Sequence, residues 1–422
     1  MIRIAGVSVA ITGPVGLSTP PAQRPLLFQP LTMRGVTARN RIILGPMSQY
    51  LAHDGEVTDW HLVHLGQFAL GGAGIVFSEE TAVESRGRRT HHCAGIYTDA
   101  QARKYRRITD FLKDLGALPA IQLGHGGRRS AVRAPWEGRA PLESDDAALG
   151  EPPWPVISAS AIPHSPGRQT PIALDLAGIK QEVEAWRDAA LRSVDAGFDV
   201  LEIHGAHGYL INQFLSPVAN RRDDAYGGDR SGRMRFALEI TEAVRDAWPA
   251  DRPIFFRVSS VDGKGGHWDI DDSVALAIAL KQRGVDFIDC SSGGLLGDSS
   301  LPAVPRFPGY NLAYAEHIRR TAEVGTIALG LITEPAQAEA ILRDGKADMI
   351  AIAREMLCDP YWPVHAAKAL GLEDWLEVLP PVYAERLRSR EDEILHAPEA
   401  AKKEFPFRRK EHDHARWDEA DS

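Results

Sequence analysis

Short apolar runs alternate with longer amphipathic segments along most of the chain. The apolar runs are nearly continuous rather than alternating with polar residues, which is typical of parallel strands buried on both faces. They occupy residues 41–47, 73–81, 118–125, 198–207, 252–259, 285–292, 326–333 and 347–354. This pattern predicts eight parallel strands.

The segments between the runs have the period of amphipathic helices. Examples are QARKYRRITDFLKDLG, IKQEVEAWRDAALRSVDAG and DDSVALAIALKQRG, each ending in glycine close to the next apolar run. Glycine in that place is a helix-stop signal. Strand–helix pairs repeated in this way predict an α/β fold, a (β/α)8 TIM barrel. A doubly wound open sheet is the alternative, but no GxGxxG turn follows the first strand.

Two segments interrupt the repeat. Residues 126–175 form a long Pro/Gly-rich insertion after the third predicted strand, and loops of that length are usually functional lids or disordered. From residue 383 the chain is dense in charge, which predicts an exposed tail or a helix against a neighbouring subunit. We therefore divide the chain into an N-terminal extension (1–24), a barrel (25–382) that contains the lid insertion (126–175), and a charged C-terminal extension (383–422).

Composition narrows the classes of partner and cofactor. A net charge of -9 argues against nucleic acid or an acidic membrane surface as the partner. No apolar run reaches the roughly 20 residues that a membrane helix needs. Cys93, Cys290 and Cys358 are too far apart in sequence for a CxxC metal or iron–sulfur site. These features predict a cytoplasmic enzyme that acts on a small molecule.

Polar side chains gather where the predicted strands end. Chemistry in such a barrel lies at the C-terminal ends of the strands, and polar groups within apolar strands are costly unless paired. The residues concerned are Ser48, Tyr50, Glu79, Glu80, Gln122, His125, His204, His207, Tyr209, Arg257 and Arg354. Together they predict an active site at one mouth of the barrel.

Some of these residues have purely structural interpretations. Glu79 and Arg257 could form an ion pair across the barrel. Gln122 could satisfy backbone groups of the strands. His125 is expected to cap a loop, and we leave it outside the site.

The stretch EIHGAHGYLINQFLSP places His204 and His207 three residues apart, with Tyr209 two residues further on. Two imidazoles could bind a metal. They could also donate two N–H groups to one oxygen, with Tyr209 as a nearby proton source. A third metal ligand is missing, since the first strand ends in GPMSQY and the sixth and seventh in SSGG and LIT. A metal-dependent barrel hydrolase stays open as the less favoured alternative.

Several stretches resemble one family when they are taken together. They are LFQPLTMRGVTARNRIILGPM, AVESRGR, IQLGHGGRR, EIHGAHGYLINQFLSP, NRRDDAYGG and FRVS, in this order. From about residue 25 to 370 the chain resembles the Old Yellow Enzyme family of NADH:flavin oxidoreductases, and within it the bacterial branch of thermophilic-like and xenobiotic reductases. The resemblance implies an ene-reductase that carries FMN and oxidises NADPH or NADH.

The resemblance also implies where FMN binds. Its phosphate would lie near Gly330, Ala353 and Arg354, after the seventh and eighth strands, which is the usual phosphate position in barrels. Arg257 would face the N1/C2 edge of the flavin, and Gln122 its pyrimidine edge. The residues implied to surround the ring are Gly45, Pro46, Met47, Ser48 and Glu80.

Three of these positions depart from the family pattern. Ser48 stands where the bacterial branch often has cysteine, Glu80 replaces a small residue, and Ala353 stands where glycine is common. A carboxylate at Glu80 would disfavour negative charge on the reduced flavin unless it is neutral or points away.

In this family the histidine pair, here His204 and His207, donates two hydrogen bonds to a carbonyl or nitro oxygen of the substrate. The β-carbon of a conjugated alkene then accepts hydride from flavin N5, and Tyr209 would protonate the α-carbon. Tyr50 would line the substrate pocket. Arg386, in PPVYAERLRSR, resembles an arginine that enters a neighbour's active site, which implies a homodimer or larger homo-oligomer.

Two alternatives remain within flavin chemistry. One is a flavoenzyme of the same family that demethylates N-methyl amines. The other is a flavin-binding protein without turnover.

Overall fold

A closed barrel of eight parallel strands forms the centre of the molecule. The computed structural model describes residues 2–4, 7–9, 16–263, 267–295 and 304–398. The barrel strands are β1 (Ile42–Leu44), β2 (Ile75–Ala82), β3 (Leu118–Gly124), β4 (Val200–Gly205), β5 (Ile254–Ser259), β6 (Phe287–Ser291), β7 (Gly325–Ala328) and β8 (Met349–Ile352). Each pairs with the next, and β8 closes on β1. The predicted TIM barrel is confirmed, and the open-sheet alternative is wrong.

Helices alternate with the barrel strands along the chain. They are α1 (Asp59–Leu70), α2 (Asp99–Asp114), α3 (Leu176–Asp195), α4 (Leu210–Leu215), α5 (Arg230–Ala247), α6 (Ile270–Gln282), α7 (Leu312–Ala322), α8 (Pro335–Arg343), α9 (Arg354–Cys358), α10 (Trp362–Ala369) and α11 (Pro381–Leu395). None of the helices in the described part of the chain is long and apolar enough to cross a membrane.

Four of these helices begin at a side chain that caps their free N–H groups. Thr98 precedes α2, Asp175 precedes α3, Asp229 precedes α5 and Asp269 precedes α6. Each side-chain oxygen accepts a backbone N–H from the first turn, which contributes about 1 kcal/mol per helix. Local sequence thus specifies where these helices start.

The predicted strands overshoot the observed ones at their C-terminal ends. The run predicted at 41–47 is a strand only over Ile42–Leu44, and the run at 326–333 only up to Ala328. Beyond β7 the backbone turns sharply, with φ +114° at Gly330 and φ 54° at Leu331. The apolar residues past each strand therefore belong to loops at the mouth of the barrel, by which we mean the C-terminal ends of its strands.

The interior of the barrel changes character along its axis. At the N-terminal end it is apolar, and Phe255 packs against Phe77 and Phe287 with ring centroids 6.1 and 5.1 Å apart. Side chains two residues apart in a strand share a face. Phe255 and Arg257 therefore both point inward, and the interior becomes polar towards the mouth.

The lid insertion, residues 126–175, is an ordered structure of short elements. It contains the 3-10 helices Gly127–Arg129, Pro135–Glu137 and Ser144–Leu149 and a strand pair, Ile157–Ser158 with Ile172–Ala173. Its Trp136 contacts Tyr50 edge-on, with ring centroids 5.9 Å apart. The insertion therefore lies over the mouth of the barrel.

The predicted boundary at residue 383 falls inside a helix. Helix α11 begins at Pro381, and its Glu391 forms an ion pair of 2.9 Å with Lys368. At the other terminus, Ser18 and Thr19 bond to Asp374. The domain limits stay predictions, and residues 399–422 of the C-terminal extension lie outside the described residues.

Replacement of Phe255 tests how tightly the apolar end of the barrel is packed. We expect Phe255→Ala to lower the free energy of unfolding by about 3–5 kcal/mol, because a fully buried aromatic ring leaves a cavity between two other rings. Urea unfolding followed by circular dichroism measures the change. Ile278→Ala, at an exposed position of α6, is the control and should stay within about 0.5 kcal/mol of wild type. A loss below 1 kcal/mol for Phe255→Ala would contradict this description of the core.

Candidate active site

Two imidazoles converge on one point at the mouth of the barrel. His204 lies in β4 and His207 follows it, and their Nε2 and Nδ1 atoms are 3.4 Å apart. The backbone N–H of Ala206 donates to His204 Nδ1 over 3.2 Å. This bond assigns the proton of a neutral His204 to Nε2, the atom that faces His207.

Two serines on neighbouring strands hold His207. Ser259 Oγ, at the end of β5, accepts the backbone N–H of His207 over 2.9 Å, and Ser291 Oγ, at the end of β6, is 2.7 Å from His207 Nε2. When Ser291 donates to Nε2, the proton of His207 lies on Nδ1. The two N–H groups then cannot bond to each other across 3.4 Å, and both are free to donate to an acceptor placed beside them. Neither serine was predicted as a site residue, because their only signal in the sequence is their position at strand ends.

Both imidazoles are neutral at neutral pH. Burial lowers the pKa of His204 well below its ordinary value, and the neighbouring His207 and Arg257 lower it further. Burial and then Arg257 lower the pKa of His207 in the same direction. The pair can therefore donate hydrogen bonds without carrying charge. Among the described residues, no further His, Cys, Asp or Glu completes a metal site around them.

Tyr209 stands beside this pair as a protonated phenol. It is the N-cap of α4, and its ring centroid lies 4.6 Å from that of His204. Burial raises the pKa of Tyr209 to about 12, although the charges of Arg89 and Arg129 oppose the shift. The phenol keeps its proton at neutral pH and can act as an acid.

Four side chains form an inner polar layer just below the mouth: Gln122, Glu202, Arg257 and Asp289. Gln122 Nε2 donates to Glu202 Oε2 over 2.5 Å, and Arg257 Nε is 3.5 Å from Asp289 Oδ2. Strand register explains the pairing, because Gln122 is opposite Glu202 and Arg257 is opposite Asp289. Neither acid was predicted as a site residue, although VLEIH and FIDCS each place one inside an apolar run.

The interpretation of Glu79 and Arg257 as an ion pair is wrong. Glu79 Oε1 lies 3.0 Å from His61 Nε2 on α1, and its Oε2 accepts the backbone N–H of Gln49 over 3.1 Å. Arg257 lies against Asp289 instead. Glu79 therefore fixes the loop that follows β1.

That loop carries the residues implied to surround the flavin ring. Gly45 N–H donates to Ile352 O over 2.9 Å, and a Cβ on Gly45 would lie 3.6 Å from that of Ala353. Pro46, Met47 and Ser48 follow and are half-buried. Tyr50 ends the loop with φ 56°, and its hydroxyl accepts a bond of 3.0 Å from Arg89 Nη1.

The residues implied to hold the phosphate lie on adjoining loops. Gly330 follows β7, and Ala353 and Arg354 follow β8, its neighbour in the barrel. A Cβ on Gly330 would come within 3.0 Å of the Tyr310 ring, at a backbone conformation with φ +114°. Glycine is required there. Arg354 is exposed at the start of α9.

Two residues that the sequence singled out, Arg386 and His125, do not face the mouth of the barrel. Arg386 is exposed on α11, and its side chain forms no ion pair or hydrogen bond with another described residue. His125 holds loops rather than facing the mouth, since its Nδ1 accepts the N–H of Gly127 over 2.9 Å and its Nε2 is 2.8 Å from Glu84 Oε1.

Comparison with known proteins identifies the family. The model of the NADH:flavin oxidoreductase / NADH oxidase family matches residues 26–373. The chain belongs to this family. NADPH dehydrogenases of Geobacillus sp. (strain WCH70) and of Bacillus licheniformis are 44% and 42% identical to it over 349 and 348 residues, which is 82% of this chain and 95% of each relative.

Solved structures agree with this assignment. Morphinone reductase has a TM-score of 0.68 at 27% identity, with coverage of 83% of this chain and 91% of that chain. The old yellow enzyme homologue from Zymomonas mobilis has a TM-score of 0.66 at 25% identity, with coverage of 86% and 99%. This member of the Old Yellow Enzyme family is an NAD(P)H-dependent flavin oxidoreductase with FMN as its cofactor. The metal-dependent hydrolase is thereby excluded.

The mouth of the barrel fits FMN. Arg257 Nε is buried there and lies 3.5 Å from Asp289 Oδ2, but it makes no hydrogen bond with any described residue. An acceptor edge of the flavin would satisfy this guanidinium. Gly330 and Ala353 present small residues where β7 and β8 end, which leaves their backbone accessible to a phosphate.

Glu80 is a buried carboxyl group without a partner. It follows a β-bulge in β2, and neither of its carboxyl oxygens has a hydrogen-bond partner among the described residues. Burial raises the pKa of Glu80 from 4.5 to about 7, although the charge of Arg89 opposes the shift. The group is therefore about half protonated near pH 7 and increasingly neutral below it.

This pKa predicts a pH dependence of stability. Between about pH 4.5 and pH 7 the folded protein keeps a proton on Glu80 that the unfolded chain releases, so stability falls as pH rises through that window. The shift corresponds to about 3 kcal/mol. Urea unfolding of wild type and Glu80→Gln at about pH 5 and pH 8 measures it. We expect the wild type to lose more stability than the variant, and equal losses would contradict the raised pKa.

Proposed function

We propose that the protein is an ene-reductase, which reduces an alkene conjugated to a carbonyl or nitro group. The observation that carries the proposal is the pair of neutral imidazoles whose nitrogens converge to 3.4 Å. An oxygen placed at that point would accept two hydrogen bonds at once. The pair would therefore orient the substrate and draw electrons from its double bond.

Neutral donors suit this chemistry. Negative charge builds on the substrate oxygen as the β-carbon gains hydride, so fixed N–H groups stabilise the transition state more than the ground state. The serines Ser259 and Ser291 keep His207 oriented, so little reorganisation accompanies the reaction. In this scheme His204 and His207 bind the oxygen and polarise the alkene.

Tyr209 completes the reduction as proton donor. Its pKa of about 12 keeps the phenol protonated, and its ring lies against His204. We propose that it delivers its proton to the α-carbon, while Tyr50 lines the same pocket. Bulk water then restores the proton of Tyr209.

When bound, FMN would supply the substrate with hydride that comes from NADPH or NADH. We propose that Arg257 holds the N1/C2 edge of the ring, that Gln122 holds its pyrimidine edge, and that the phosphate lies near Gly330, Ala353 and Arg354. The residues proposed to surround the ring are Gly45, Pro46, Met47, Ser48 and Glu80. A cytoplasmic location stays a prediction.

Separate half-reactions test the function. The FMN-loaded protein should lose its yellow absorbance anaerobically with NADPH and regain it with 2-cyclohexenone. Tyr209→Phe should slow the second half by about 100-fold, because a positioned acid is lost, and leave the first within about twofold. Stopped-flow absorbance measures both rates.

Other outcomes point to the alternatives. Colour without bleaching by NADPH would favour the demethylase or the flavin-binding protein over the ene-reductase. Equal slowing of both halves in Tyr209→Phe would contradict the role of Tyr209 as proton donor.

We also propose that α11 carries Arg386 into the active site of a second copy of this chain. Arg386 is exposed and unpaired within the described chain, and the same helix exposes Val382 (67%) and Tyr383 (40%). An apolar surface beside an unpaired cation is suited to an interface between copies.

Arg386→Ala should lower kcat/KM for 2-cyclohexenone at least about tenfold, since a charged hydrogen bond is worth about 1.5–3 kcal/mol. Arg388→Ala is the matched control on the same helix, because Arg388 already pairs with Glu385 at 2.8 Å. Light scattering reports the oligomeric state of both variants. A monomeric wild type, or equal kinetics for the two variants, would contradict the proposal.

A further inference from the structure

Four arginines act on His164, a buried histidine of the lid insertion. Arg89 comes from the loop after β2, whereas Arg128, Arg129 and Arg168 belong to the lid insertion itself. Arg128 Nη1 donates to the backbone oxygens of Ile162 and Pro163 over 3.2 and 3.3 Å, directly before His164. Burial and the charges of Arg129, Arg128, Arg168 and Arg89 lower the pKa of His164 to about 3. We call the four arginines the arginine cluster. They bring several positive charges to one place, with a neutral imidazole among them.

Three members of the arginine cluster have no carboxylate partner among the described residues. Arg89 bonds to the Tyr50 hydroxyl, Arg129 to backbone carbonyls that include Gly294 O at 3.2 Å, and Arg168 to Arg139 O at 2.5 Å. Three buried nitrogens of this group have no hydrogen-bond partner in the described part of the chain: Arg89 Nε, Arg168 Nη1 and His164 Nδ1.

Such an arrangement is costly without an anion. Buried cations are normally paired with a carboxylate or another anion, and burial lowers the pKa of Arg129 to about 10. Glu80 is the carboxyl group whose charge acts on Arg89 from within the barrel. Its pKa of about 7 leaves it only partly charged at neutral pH. The unsatisfied donors therefore favour an oxyanion that comes from outside the chain.

The arginine cluster adjoins the proposed catalytic groups. The guanidinium carbons of Arg129 and Arg89 lie 5.5 and 5.7 Å from the centre of the Tyr209 ring. Arg129 also bonds to the backbone oxygen of His207. A ligand held by His204 and His207 would therefore reach these cations within a few bonds.

The cluster is separate from the proposed phosphate position of FMN. It belongs to the ends of β2 and β3 and to the lid, whereas Gly330 and Arg354 follow β7 and β8. In the closed barrel β3 and β7 are four strands apart and lie on opposite sides. The cofactor phosphate cannot neutralise both places at once.

We propose that the arginine cluster and His164 form an oxyanion subsite for the substrate, so that the preferred alkene carries a carboxylate near its activated double bond. The inference rests on the proposed ene-reductase function and specifies its substrate class. His204 and His207 would bind the activating oxygen, and Arg89, Arg129 and Arg168 would bind the carboxylate. Reductant phosphate offers the same oxyanion chemistry, and the experiment separates the two sources.

The probes are (E)-4-oxopent-2-enoate and its methyl ester, which differ by one negative charge. With FMN-loaded protein we expect Arg168→Leu and Arg89→Leu each to lower the ratio of kcat/KM for the acid over the ester about tenfold or more, since a charged hydrogen bond is lost. Activity with the ester serves as an internal control for folding and for the bond from Arg89 to Tyr50.

Arg88→Leu is the matched control. Arg88 lies in the same loop as Arg89 but stacks over Tyr97 and Trp154, with its guanidinium 5.9 and 5.7 Å from their ring centres. Arg88→Leu should keep the acid-to-ester ratio of kcat/KM within about twofold of the wild-type ratio. In a second measurement, inorganic phosphate should raise the unfolding temperature of the FMN-loaded wild type more than that of Arg168→Leu.

The outcomes are distinguishable. Reduction of 2-cyclohexenone with an unchanged acid-to-ester ratio in Arg168→Leu would overturn the subsite and leave the proposed function standing. If Arg168→Leu slows the reduction of the flavin by NADPH and leaves the acid-to-ester ratio unchanged, the arginines bind the reductant and the proposal is overturned. Failure to reduce any of the three enones would overturn the function and the subsite together.

Discussion

The 3.4 Å approach of His204 and His207 is the contact on which the active site depends. It requires His207 to adopt a left-handed backbone conformation, with φ 59°, and requires β5 and β6 to supply the serines that hold it. Those strands lie beside β4 because β4, β5 and β6 pair in parallel with this register. Strand register and the geometry of the histidine pair are thus parts of one constraint.

Burial sets the protonation state of the groups at the mouth. It lowers the pKa of both imidazoles and raises the pKa of Tyr209 to about 12, so two neutral donors and one neutral acid stand together. Below them Arg257 lies against Asp289 in the inner polar layer. The charge of Arg257 is therefore held against a carboxylate in this layer, while the two imidazoles above it are neutral.

The barrel and the lid carry different polar groups. Barrel strands carry the imidazoles and the inner polar layer, whereas the lid insertion and the loops beside it carry the arginine cluster. Variation in loops over a constant barrel is how this architecture changes specificity. Arg89 bonds to Tyr50, and Trp136 of the lid contacts the same tyrosine, so the two parts meet at one side chain.

The sequence alone determined the eight strands, the start of several helices, and the position of His204, His207 and Tyr209 at the mouth, because strand burial and helix capping are local patterns. It did not determine polar partners. Glu79 bonds to His61 rather than to Arg257, and the arginine cluster joins residues from three separate segments. Such pairings depend on strand register, ring closure and the path of the lid, which bring together residues far apart in sequence and exist only in the folded chain.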